Sequence, residues 1–78
     1  MEGAYFFIET QVGKTKDVFR EIKKKVPKET ESDIITGQYD IVVVMRCKEI
    51  KKIGSIETSI KTVPGVVRVV TCPIDIKK

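Results

Sequence analysis

The 78-residue chain has no histidine, tryptophan, leucine or asparagine, and only two cysteines and three prolines. Without histidine there is no imidazole to serve as general base near neutral pH or as a zinc ligand. Cys47 and Cys72 stand far apart in the chain and form no Cys-x-x-Cys pair, so neither a metal nor any other cofactor is expected. Apolar runs reach only five residues, AYFFI and IVVVM, against the roughly 18 needed to cross a bilayer. Glu2 sits where a signal peptide would carry positive charge, and the apolar part that follows is too short. A cytoplasmic, reducing location with free thiols is the expectation.

What is present is equally lopsided. Isoleucine and valine supply nearly all the aliphatic bulk, while lysine and glutamate dominate the polar positions, a balance associated with hyperthermophiles. The net charge of +4 gathers in Lys23-Lys24-Lys25, Lys51-Lys52 and Lys77-Lys78. Such clusters attract nucleic acid electrostatically, but they equally serve as solvated helix faces, and the second reading is favoured. A chain this short makes one domain, residues 1–78, with a thin core. With disulfides and metal set aside, a partner subunit is the remaining means of reinforcement.

Ala4 to Ile8 is aromatic and β-branched and reads as a strand. Val18, Ile22 and Val26 repeat at helical spacing over Thr15 to Lys25, with Thr15 as candidate cap, and Pro27 stops them. A weaker strand lies within Lys28 to Thr36, and Gly37-Gln38 reads as a two-residue hairpin turn into a strand over Tyr39 to Cys47. Ile50, Ile53, Ile56, Ile60 and Val63 mark a second helix, ended by Pro64-Gly65. Gly54 within it suggests a close neighbour. Val66 to Thr71 is the last strand, closed by Pro73.

The order β-α-β-β-α-β specifies an α+β, ferredoxin-like domain. Right-handed crossovers place both helices on one face of a four-stranded antiparallel sheet, with the first and third strands central. The strands carrying Cys47 and Cys72 then lie two strand spacings apart, about 10 Å, too far for an intrachain bridge. Helices on one face call for strands that alternate apolar and polar residues. Phe6-Phe7-Ile8, Ile41 to Met45, Val66-Val67 and Val69-Val70 do not alternate. The uncovered face is therefore apolar as well, over several hundred Å², more than a soluble monomer commonly exposes. A second copy packed sheet to sheet is the simplest cover.

Four pieces of the chain carry a resemblance: AYFFIET at the start, Gly13 before the first helix, TGQYDIVVVMRC with its Gly-x-Tyr-Asp, and Ile60 to Thr71, I-x-x-V-P-G-V-x-R-x-x-T. In this order they resemble the ligand-binding (effector) domain of Lrp/AsnC feast/famine transcription regulators, over essentially the whole length. The resemblance implies a βαββαβ domain that dimerises through its sheets in a dimeric α/β-barrel-like arrangement. It also implies assembly of dimers into octameric or decameric rings, and small effectors, typically amino acids, bound near the Gly-x-Tyr-Asp turn where dimers meet. The positions so implicated are Thr36, Gly37, Tyr39 and Asp40, with Thr71 from the last strand. Full-length relatives carry an N-terminal helix-turn-helix; here the first strand begins within about three residues of the start. The expectation is a stand-alone form that does not bind DNA directly and acts by assembly or by co-assembly with full-length regulators.

The turn has chemistry suited to an amino-acid zwitterion: Gly37 for backbone N–H groups open to a carboxylate, Asp40 for an α-ammonium, Tyr39 for a wall and a hydroxyl. The same residues also suit a plain turn, with Tyr39 packing across strands and Asp40 opening the next one. Two other functions compete on this fold. An acylphosphatase-like enzyme needs a phosphate cradle with an arginine and an asparagine; the first loop, TQVGKTK, is no Gly-rich cradle and asparagine is absent, so no enzymatic role is expected. A nucleic-acid binder using Tyr5, Phe6 and Phe7 would need aromatic partners on the third strand, whose IVVVM run has none.

Overall fold

The computed structural model describes residues 2–28, 30–47 and 50–75. The elements are β1 (Glu2–Thr10), α1 (Thr15–Lys25), β2 (Glu31–Ile34), β3 (Ile41–Cys47), α2 (Ile50–Lys61) and β4 (Val66–Asp75). All strand pairs are antiparallel, in the order β2-β3-β1-β4. The two most apolar strands are the central pair, as the ferredoxin-like topology requires, and β1 separates the strands that carry the two cysteines.

Successive strand residues point to opposite faces. Ala4, Phe6 and Ile8 of β1 and Ile41, Val43 and Met45 of β3 turn toward the helices and are buried. Val18 and Ile22 of α1, Ile53 and Ile60 of α2, and Val63 close the core over them. Apart from Ala4, each such side chain contributes roughly 1.5–3 kcal/mol of transfer free energy.

Several sequence expectations are corrected in detail. Thr15 does not cap α1: Lys14 holds the cap position without a side-chain bond, and the Thr15 hydroxyl instead shares a 2.7 Å hydrogen bond with that of Thr10. Asp17 in the first turn and Lys23, Lys24 and Lys25 in the last do complement the helix dipole. Val26 leaves the helix with ψ 156, the extended conformation that a following proline imposes. β2 spans only Glu31–Ile34, and β4 runs through Pro73, which pairs with Ala4 rather than ending the strand. An edge strand has one side without a ladder, where a missing N–H costs nothing.

The two glycines around α2 behave oppositely. No atom beyond its own helix turn lies within 4 Å of where a Gly54 Cβ would stand, so close packing is not the reason for this glycine. Gly65 follows Pro64 in a turn closed by Val66 N–H donating to Val63 O at 3.2 Å. Its φ is +97, and a Cβ there would stand 2.8 Å from Val18 Cγ2. Gly54→Ala is expected to raise stability by up to about 1 kcal/mol and Gly65→Ala to lower it by about 1–3 kcal/mol, read as opposite shifts in thermal midpoint. Shifts of the same sign would contradict this placement of the two residues.

Candidate functional site

The turn between β2 and β3 is wider than a two-residue hairpin. Ile35 N–H donates to Asp40 O at 2.8 Å, so Thr36, Gly37, Gln38 and Tyr39 form a four-residue loop. Gly37 takes φ +120, a region open to glycine and strained for other residues. Thr36, Gly37 and Gln38 are exposed, while Tyr39 and Asp40 are half-buried.

Asp40 is tied into the frame on three sides. Its backbone N–H donates to Ile8 O at 2.9 Å. Its Oδ2 accepts the Thr10 backbone N–H at 2.8 Å and the Thr10 hydroxyl at 3.1 Å. Thr10 is buried and its hydroxyl also meets Thr15, so one carboxylate oxygen links the end of β1, the start of α1 and the turn. Charge-assisted bonds to a partly buried carboxylate are among the stronger hydrogen bonds. The role of Thr10 had no signal in local sequence, because its link to Asp40 spans 30 residues and emerges only from the β1–β3 register; Thr15 signalled only a helix cap.

Tyr39 belongs to the open face of the sheet. Its ring lies 5.7 Å from that of Phe7, which stacks at 6.2 Å on Tyr5. On the same face Tyr5 pairs with Val44 and Cys72, and Phe7 with Val42 and Val70. Tyr5 is 40% exposed, and neither helix covers this face. The result is one apolar surface running from the turn across three strands.

Thr71 does not join the turn. It pairs with Phe6 on the helix-covered face, and its hydroxyl donates to Glu57 Oε1 at 2.9 Å. Glu57 Oε2 meets Lys61 Nζ at 2.9 Å. The Lys61 hydrogen bond above all, then that of Thr71, holds the Glu57 carboxyl below its ordinary 4.5, against a small opposing effect of burial. Thr71 thus fastens α2 to β4. Four of the five sequence-predicted positions gather at one turn, and the fifth lies on the other side of the sheet.

A separate open cleft of ≈350 Å³ lies between the start of α1 and the Pro64-Gly65 turn, lined by Gln11, Lys14, Asp17 and Glu21. None of the five positions borders it. No helix of the described residues is long and apolar enough to cross a membrane.

Architecture and register define a ferredoxin-like α+β domain with a one-sided helix layer. Solved structures share it. TTHA0845 from Thermus thermophilus is similar with TM-score 0.87 and 23% identity, over 100% of this chain and 98% of that one. The hypothetical protein PHS023 from Pyrococcus horikoshii gives TM-score 0.80 and 20% identity, over 99% and 93%. FFRP-DM1 gives TM-score 0.81 and 22% identity, over 96% and 100%. At these identities the likeness establishes the fold. No family model and no curated protein matches the sequence.

Because the lowered Glu57 carboxyl stabilises the fold only while ionised, its contribution is complete above 4.5 and is lost as pH falls below that value. Wild type should therefore lose more of its thermal midpoint than Glu57→Gln between neutral pH and strongly acidic pH. Parallel acid profiles would contradict the Thr71–Glu57–Lys61 link.

Proposed function

We propose that the chain is a binding and assembly module of the Lrp/AsnC effector type, acting in the cytoplasm without catalysing a reaction. Two copies pack through their open sheet faces, and dimers associate further into an octameric or decameric ring. A small amino-acid effector binds at the Thr36–Asp40 turn and biases the assembly through its differential affinity for one state. Co-assembly with full-length regulators of the same kind would carry the signal to DNA.

The observation that supports this reading is the continuity of the apolar face with the turn, through the Tyr5–Phe7–Tyr39 contacts. At about 25 cal/mol per Å², covering that face gives a large gross driving force for pairing, against which association entropy must be set. FFRP-DM1, which shares the fold, is named for the feast/famine regulatory class that the sequence pieces resemble, and this favours the same reading. Within the turn, Asp40 keeps one carboxylate oxygen outside the Thr10 bonds, the atom proposed for an α-ammonium. Thr71 bonds Glu57 on the covered face and is not assigned to this pocket.

Two measurements test the reading. Val44→Glu places a charge in the middle of the open face and should turn the assembly monomeric while the helical circular dichroism persists; an unchanged mass would contradict sheet-to-sheet pairing. Amino acids screened one at a time should raise the thermal midpoint of the wild type by mass action and not that of Tyr39→Phe or Asp40→Ala. Asp40→Ala also loses the Thr10 bonds, so the ligand-dependent increment is the readout, not the midpoint itself. An equal increment in both variants would remove the turn as the site.

A further inference from the structure

The charges that border the open face are sorted by strand. The register puts Glu31 and Asp33 of β2 in the same rows as Val44 and Val42, on the uncovered side. Both are exposed, and they give one edge of the sheet a purely acidic border on this face. At the opposite edge, β4 presents Arg68, exposed, in the row of Glu9. Arg46, also exposed, lies at the far end of β3 opposite Gly3. The three ion pairs among the described residues, Asp17–Arg20, Glu21–Lys24 and Glu57–Lys61, all join residues of a single helix, and none lies on this face.

Two sheets packed face to face are about 10 Å apart and either nearly aligned or nearly orthogonal. A two-fold axis between them can run along the strands or across them in the aligned case. With the axis along the strands, β2 of one copy lies over β4 of the other. The row of Asp33 then meets the row of Val70, one side-chain step of about 7 Å from Arg68. The long arginine side chain spans such a step while keeping its guanidinium in water at the rim. With the axis across the strands, β2 lies over its own copy and four carboxylates face one another. Like charges at an interface exclude one packing as effectively as opposite charges favour another.

We propose that this charge sorting sets the orientation of the dimer: the β2 edge of one copy, through Asp33 with Glu31 adding to the acidic field of that edge, docks on Arg68 at the β4 edge of a second copy. The occupant of the face is a second copy, because the face carries both halves of the complementary rim. The proposal rests on the sheet-to-sheet dimer above and goes beyond it by fixing which strand covers which. Both rims are occupied twice in the symmetric dimer, so each substitution acts two times.

Charge reversal separates the alternatives. Dimer dissociation constants would be measured by sedimentation for wild type, Arg68→Glu, the double variant Glu31→Lys with Asp33→Lys, and all three substitutions together. Arg68→Glu and the double variant should each weaken the dimer roughly tenfold, and the triple variant should regain most of the loss. Lower salt should widen these differences. A dimer that persists with no effect of Arg68→Glu, or no rescue in the triple variant, overturns the orientation and leaves the sheet-to-sheet dimer standing. Rescue of the acidic-edge variant by Arg46→Glu instead of Arg68→Glu also overturns it, in favour of an orthogonal packing. A wild-type chain with no dimer overturns both readings.

Discussion

A sheet whose central strands are apolar on both sides, with helices enough for only one of them, is the constraint from which the rest of this molecule follows. Ile41, Val43 and Met45 fill the core beneath α1 and α2, and Val42 and Val44 between them point the other way. Phe6 is fully buried, while Phe7 next to it lies on the open face with Tyr5 and Tyr39. No single-chain arrangement of two helices satisfies both sets. The uncovered set gives the molecule a hydrophobic reason to associate.

That constraint was legible in the residues because β-branched and aromatic runs without alternation declare two buried faces whatever their length. The element order was legible for the same reason: helical spacing at Val18, Ile22 and Val26 and at Ile53, Ile56 and Ile60 switches cleanly from the strand runs. Boundaries were less so. Pro73 looked like a stop because proline ends a central strand, and β4 is an edge strand where it does not. Thr15 looked like a cap because of its type and place, and a buried hydroxyl partner on β1 claimed it instead.

The candidate turn was half legible. Gly37 and the Tyr39-Asp40 pair announced a special conformation, and the loop does hold Gly37 at positive φ. Its four-residue width came from the Ile35–Asp40 backbone bond, a feature of pairing that composition does not encode. Asp40 is anchored by Thr10, and Thr71 by Glu57; both links are long-range and depend on register. The Thr10 link holds the frame behind the turn, where Tyr39 is presented on the same surface as Phe7. In the proposed reading, assembly and effector binding share this wall, and that shared wall is what would couple them.

The most direct test of that account is the mass of the wild-type chain by sedimentation equilibrium at micromolar concentration and moderate salt. The covered-face account predicts at least twice the 8.8 kDa of one chain. A single species of 8.8 kDa, stably folded and unassociated across the dilution series, would contradict it.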